Sequence, residues 1–160
     1  MHRDGDGWVF DPDGSRYWGL HGAAGLLLRA PLGDGTSAVL LQHRAAWSHQ
    51  GDTWALPGGA RDSHESAVDT AVREADEEAG IGGYDLQVIA TVVTHRATNG
   101  WTYTTVIAAV GEPIPTRPNG ESTELRWVPE ESVATLPLHP AFRQSWPTLR
   151  ERLAALDLPG

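Results

Sequence analysis

The glutamates Glu74, Glu77 and Glu78 stand three and four residues apart in the segment READEEAGI, residues 73–81. At about 100° per residue they share one arc of a helix, away from the arc of Val68, Ala71, Val72, Ala75 and Ala79. The spacing therefore predicts a small apolar face packed on a sheet and carboxylates turned to solvent or to an ion. Like charges on adjacent turns repel by roughly a few tenths of a kcal/mol per pair, and the macrodipole disfavours anions near a helix C-terminus. Local stability does not select such a cluster. A divalent cation reverses the cost, because Mg2+ and Mn2+ take hard carboxylate oxygens while keeping positions for water and phosphate oxygens.

Upstream, Gly59 is followed after five residues by Glu65, and Glu65 after seven by Arg73. The whole of residues 59–81, GARDSHESAVDTAVREADEEAGI, resembles the signature box of the Nudix hydrolases at every fixed position. One departure concerns packing alone, an alanine at 75 where a larger aliphatic residue is usual. The similarity extends from about Trp18 to Trp146, through the stretches AAGLLL, TWALPGG and ESTELRWV. It implies an α+β fold, a mixed curved sheet sandwiched between helices, and metal-dependent hydrolysis of a phosphoanhydride. It also implies Glu77 and Glu78 as primary metal ligands, with Glu74 either a ligand or the general base. Gly59 joins the expected metal set, together with an acid from a distant loop. Glu124 is favoured over Glu121 for that place, the alternative being that both are exposed loop charges. Arg73 is counted with the catalytic glutamates, although with Glu65 its role reads as structural, a guanidinium fork bridging carboxylates and holding the turn onto the helix. Mg2+, with Mn2+ as a substitute, is the expected cofactor.

The composition narrows the chemistry further. At 160 residues the chain is expected to form one domain, residues 1–160, without repeats or linkers. The formal net charge is −9, and residues 59–81 carry much of it, with Asp62, Glu65, Asp69, Glu74, Asp76, Glu77 and Glu78 against Arg61 and Arg73. Nucleic-acid polymers require basic patches, so a metal-chelated small anion is the better partner. There is no cysteine, which excludes disulfides, thiolate zinc sites and cysteine nucleophiles, and argues against the isomerase branch of the resembled family. All twelve basic residues are arginine, so Schiff-base chemistry and a P-loop lysine are excluded as well. The first residues, MHRDGDGW, form no apolar h-region, and no run approaches the ~20 apolar residues of a membrane span. A cytoplasmic protein with no membrane contact, monomeric or homodimeric, is expected.

Several elements must position the acidic helix. Residues 8–10 and 16–18 flank Asp11-Pro12-Asp13-Gly14, so residues 1–18 read as an N-terminal hairpin. Residues 21–28 and 38–42 are apolar runs of strand length joined by a turn at 31–35. The small residues Gly22, Ala23, Ala24 and Gly25 leave room for close approach, by a ligand or by the helix itself. A loop at 45–52 holds Trp47, His49 and Gln50, residues 53–56 read as a short strand, and Pro57-Gly58-Gly59 as a sharp turn. Gly80 fits a helix C-cap. Residues 87–95 and 101–110 read as strands around Asn99-Gly100, a type I′ hairpin signal, and residues 124–128 as one more strand. Phe142, Trp146, Leu149, Leu153 and Leu156 recur at helical spacing over residues 140–156, with a break expected near Pro147.

Substrate choice must reside outside the acidic box, which treats every diphosphate alike. The candidate stretches are the small-residue strand His21 to Leu28, the arm around Tyr103 and the turn Leu138 to Trp146, and Arg44 could meet a phosphate bidentately or merely line a surface loop. That turn offers His139 as donor and acceptor and Phe142 as a stacking face, the alternative being a helix start whose Phe142 and Trp146 enter the core. The leading expectation is a MutT-like enzyme cleaving a nucleoside triphosphate, or a related nucleoside diphosphate-linked compound, to a monophosphate and pyrophosphate. A second is an ADP-ribose or NDP-sugar pyrophosphatase. It is weakened by Arg96 and Ala97, where those branches carry an informative proline or tyrosine some fifteen residues past the box. A third is a Nudix-fold recognition module, disfavoured because every box carboxylate is present.

Overall fold

The computed structural model describes residues 4–45, 51–119 and 122–156, the side chains at 122 and 123 excepted. Trp47, His49, Gln50 and Glu121 lie outside the described residues. The chain begins with a hairpin of β1 (Trp8–Phe10) and β2 (Arg16–Trp18). Next come β3 (Ala23–Pro31), β4 (Ser37–Arg44), β5 (Trp54–Ala55), β6 (Gly58–Ala60) and helix α1 (Ala67–Ala79). The second half holds β7 (Gln87–Arg96), β8 (Thr102–Ala109), β9 (Ser122–Pro129), a 3-10 turn at Glu130–Thr135 and helix α2 (Pro140–Leu156).

Seven strands form one mixed sheet in the order β5-β4-β3-β8-β7, with β6 joined to β3 and β9 to β4. β3 runs parallel to β8 and antiparallel to β4 and β6. As the centre of the sheet it is buried on both faces, and its alternate residues serve two cores. Ala24, Leu26 and Leu28 pack against Ala71, Ala75 and Ala79 of α1, whereas Leu27, with Val39 and Leu41 of β4, packs against Phe142, Trp146, Leu149 and Leu153 of α2. Each fully buried leucine contributes about 2 kcal/mol. The result is the expected α+β arrangement of a sheet between helices. The three alanines let α1 approach the strands closely, which brings its polar arc within reach of β6. No described helix is long and apolar enough to cross a membrane.

Local signals explain where α1 starts and stops. Ser66 Oγ accepts the Asp69 N–H while the Asp69 carboxylate accepts the Ser66 N–H, a reciprocal capping box. Gly80 ends the helix in the left-handed region at φ 70°, its N–H donating to the Asp76 carbonyl.

Three expectations are corrected. α2 runs through Pro147 without a break. The proline removes one backbone donor, but Phe142 and Trp146 before it and Leu149 and Leu153 after it are anchored in the same core, so both halves stay on one axis. The loop between β7 and β8 is not type I′, because Gly100 alone in it has positive φ; Gly100 donates to the Ala97 carbonyl and Ala97 to that of Trp101. Finally, Gly58 and Gly59 do not simply turn but form β6, laddered onto Gly25 and Ala24.

Candidate active site

The acidic arc of α1 meets β6 at its two glycines. The Gly58 N–H donates to Glu78 Oε2 at 2.8 Å, and Glu78 is 7% exposed. β6 folds over that part of the arc, so of the three glutamates expected to face solvent or an ion only Glu77 keeps a substantially exposed side chain, at 42%. Glu74 lies beneath Gly59, where a Cβ would stand 2.5 Å from the Glu74 Cδ and 2.7 Å from both carboxylate oxygens. Gly59 is therefore a space requirement, since its φ is not positive.

Arg73 gathers the remaining carboxylates. Its Nε and Nη2 bind the two oxygens of Glu65 at 2.7 and 2.8 Å; its Nη1 meets Glu74 Oε1 at 2.9 Å and Glu77 Oε1 at 3.4 Å; and Nη2 also reaches the Ala60 carbonyl at 3.2 Å. Asp62 approaches at 3.8 Å. The guanidinium holds the Glu65 carboxyl down at about 2, and Glu65 in turn raises the arginine further above its ordinary value. A side chain with one charge but five planar donors can do this, and lysine cannot.

A second group assembles across the sheet. Tyr103, the second residue of β8, reaches over Gly25 of β3. Burial, and then the charge of Glu78, push its phenol above the ordinary range, with Arg44 acting in the opposite sense. The structure thus brings Arg44, Tyr103 and Glu78 into one electrostatic neighbourhood, although they come from β4, β8 and α1. Arg44 sits at an irregularity in the β4–β9 ladder, its backbone N–H donating to the Thr53 carbonyl.

Other expected residues fall differently. Glu124 of β9 stands opposite His43, and its half-exposed carboxylate pairs with Arg126 at 2.8 Å. Phe142 is buried in the α2 core with its ring 5.8 Å from Trp146, so it offers no exposed stacking face. His139 precedes α2 and caps it, Nδ1 accepting the Ala141 N–H at 3.1 Å while its own backbone N–H donates to the Trp54 carbonyl. The helix start is therefore a packing feature at Phe142 and a capping feature at His139.

Sequence reasoning gave no site role to Gly58 or Asp62, and it read Gly25 only as room for a close approach without naming Tyr103 as what approaches. No local signal marks Gly58 as the donor to Glu78 or pairs Gly25 with Tyr103. Asp62 groups with His64 and Glu65, their ligand atoms all within 4.8 Å of one another, and this is the set that could hold a metal ion among the described residues. Yet Glu65 is bound bidentately by Arg73 and Asp62 accepts the Gly5 N–H, so both carboxylates already have work in the fold.

The box supplies carboxylate oxygens, but they are not gathered into one set in this structure: Glu74 and Glu77 converge on one arginine nitrogen, Glu78 is held by the Gly58 N–H, and Glu74 fills the space that Gly59 leaves open. Carboxylate oxygens are the donor set Mg2+ and Mn2+ prefer.

Comparison with known proteins agrees with this geometry. Residues 19–150 match the NUDIX domain model. A Mycobacterium tuberculosis protein named "Putative 8-oxo-dGTP diphosphatase 3" is 62% identical over 97% of this chain and 73% of its own length. A Bifidobacterium longum nucleoside triphosphate pyrophosphatase/Nudix hydrolase fusion protein is 41% identical over 98% of this chain but only 33% of its own. Among solved structures, a Nudix hydrolase from M. smegmatis, RenU, superposes with TM-score 0.92 at 60% identity, covering 98% of this chain and 99% of that one. An Ap4A hydrolase from C. elegans, TM-score 0.67 at 21% identity over 83% of this chain and 98% of its own, shares the fold.

Proposed function

The chain belongs to the Nudix family and is a Nudix hydrolase, and from that premise we propose that it cleaves a nucleoside triphosphate to a monophosphate and pyrophosphate. We place an oxidised guanine nucleotide, 8-oxo-dGTP, first among its substrates. The single observation that carries the reading is the complete carboxylate set of α1 held by Arg73 and β6. The choice of base rests on the name carried by the M. tuberculosis relative at 62% identity. On this reading the enzyme acts on free nucleotides in the cytoplasm as one domain, monomeric or homodimeric.

In this mechanism Glu74, Glu77 and Glu78 would hold a divalent cation, Mg2+ or Mn2+, with Gly59 leaving room for Glu74. When bound, the cation neutralises phosphate oxygens and makes water a stronger nucleophile near neutral pH. The chain's own residues do the rest. Gly58 fixes Glu78 by its N–H, so that carboxylate need not reorganise during reaction. Arg73 keeps Glu74 and Glu77 at one distance from each other despite their repulsion. Glu74 is a ligand or the base that takes the proton of the attacking water. Arg44, near Glu78 and Tyr103, supplies positive charge for the remaining phosphate oxygens. Glu124 is a further acid, with Arg126 on its Oε2.

A release assay tests the proposal. Pyrophosphate and phosphate are measured for 8-oxo-dGTP, dGTP, the other nucleoside triphosphates, ADP-ribose, an NDP-sugar and a dinucleoside polyphosphate, with Mg2+ and with Mn2+. The expected result is pyrophosphate release that depends on metal and is fastest for 8-oxo-dGTP. Faster turnover of ADP-ribose or of the dinucleotide would overturn the substrate class.

A further inference from the structure

We propose that Asp4 and Gly5, which precede the residues matched by the family model, are positioning residues for the acidic box. They fix loop 61–63, and through Asp62 and Glu65 they fix the guanidinium of Arg73 that holds Glu74 and Glu77. The inference rests on the reading of the box as a cation-dependent hydrolase site and deepens it by assigning control of that site to the N-terminal segment.

Gly5 is buried between two segments. Its carbonyl accepts the Leu20 N–H at 2.8 Å, and its own N–H donates to Asp62 Oδ1 at 3.0 Å. Its φ is not positive, so what it supplies is space: a Cβ there would stand 2.0 Å from the Arg61 carbonyl oxygen and 3.2 Å from the Asp62 Cα. Any side chain at this position would push the segment off the loop. Beside it the Asp4 carboxylate takes both donors of Ser63, Oδ1 the backbone N–H at 3.0 Å and Oδ2 the hydroxyl. Residues 4 and 5 thus form a strap across the loop that leads into α1.

The strap bears on the far side of Arg73. Asp62 is 2% exposed; one of its oxygens accepts from Gly5, and the other lies 3.8 Å from Arg73 Nη2. The Asp62 N–H donates to Glu65 Oε1 at 3.1 Å, the same oxygen that Nη2 binds at 2.8 Å. A shift of loop 61–63 therefore moves both acids that aim Nη2. Because a guanidinium is rigid and planar, that shift is carried to Nη1, the nitrogen that Glu74 and Glu77 share. The other end of the N-terminal segment is tied to the β7–β8 loop instead, where Asp11 accepts from Thr98 Oγ1 at 2.6 Å and the Phe10 carbonyl from Asn99 Nδ2 at 3.1 Å. Loosening that end is the control for a merely structural role.

The test compares Gly5→Ala, Asp4→Ala, Asp4→Asn and Thr98→Ala by Mn2+ binding, read by electron paramagnetic resonance without nucleotide, by melting temperature, and by kcat and KM. Gly5→Ala should bind Mn2+ about tenfold more weakly and lose about tenfold in kcat, with KM and the ranking of nucleotides unchanged; Asp4→Ala should lose about threefold in each. Asp4→Asn, whose amide can still accept the Ser63 N–H and donate to its hydroxyl, should restore both. Thr98→Ala should melt lower yet keep Mn2+ affinity and kcat. Unaltered Mn2+ affinity and kcat in Gly5→Ala and Asp4→Ala, an equal loss in Thr98→Ala, or no recovery in Asp4→Asn would each overturn the assignment. Should Gly5→Ala not fold, Asp4→Ala against Asp4→Asn decides it. No saturable Mn2+ binding by the unaltered protein would overturn the cation site and this role with it. If the unaltered protein bound Mn2+ but released pyrophosphate from no nucleotide, the proposed substrate would fall while the Mn2+ comparison still decided the role of the strap.

Discussion

Arg73 grips both oxygens of Glu65, Nε to Oε2 at 2.7 Å and Nη2 to Oε1 at 2.8 Å, joining the loop before α1 to the middle of that helix. Because the same guanidinium also holds Glu74 and Glu77 through Nη1, the stability of the loop and the geometry of the proposed cation site depend on one side chain.

The pair makes stability depend on pH in acid. Glu65 has its carboxyl lowered from 4.5 to about 2 in the folded protein. Its contribution is therefore complete above the unfolded value, near 4.5, and is lost as pH falls through the folded value near 2. A tenfold difference in proton affinity between the folded and unfolded chain corresponds to about 1.4 kcal/mol of stability. Glu65→Gln should melt well below the unaltered protein at pH 7, with the gap closing as pH falls from 4.5 to about 2. A gap that stays constant over that window would show that the charge of Glu65 is not what stabilises the loop.

Arg73→Lys keeps the charge and loses the fork. An ammonium cannot serve Glu65 bidentately while also reaching Glu74 and the Ala60 carbonyl, so both the melting temperature and kcat should fall, kcat by about tenfold or more. Parallel denaturation and steady-state measurements decide it. Unchanged values in both would remove Arg73 from the site.

Glu78→Gln separates fold from chemistry. The amide oxygen can still accept the Gly58 N–H, so melting in chelator should be unchanged or slightly raised by the loss of a buried charge. Turnover should drop by about a hundredfold or more, and the rise in melting temperature on adding Mg2+ should shrink. Near-normal hydrolysis by Glu78→Gln would exclude it as a ligand.

His139→Ala removes the cap of α2. Loss of the Nδ1 bond to Ala141 should cost about 1 kcal/mol, seen as a lower denaturation midpoint, with the order of substrates unaltered. A changed preference among bases would instead return this turn to the substrate site.

How much was legible in the sequence follows the range of each interaction. Helix α1, its apolar alanine face, its glycine cap and its carboxylate spacing are set by residues within a few positions of one another, and periodicity reads them directly. The N-terminal hairpin and β3, β4, β7 and β8 were marked by turn residues and short apolar runs in the same way. Pro147 misled because local propensity argued for a break, and four buried side chains on both sides of it outweighed one missing hydrogen bond. The Asn99-Gly100 signal located a hairpin but not its turn type, which depends on the flanking bonds of Ala97 and Trp101.

The sequence by itself determined the reactive set: Glu74, Glu77 and Glu78 on one arc, with Arg73 among them, because a helix fixes the angle between residues three and four apart. Only the tertiary structure decided which of these carboxylates is buried, since Glu78 is covered by β6, a strand from outside the helix. It also decided that Phe142 belongs to the core, and that the Tyr103 hydroxyl lies against Gly25. These two residues are far apart in the chain, and only the register of β3 against β8 brings them together.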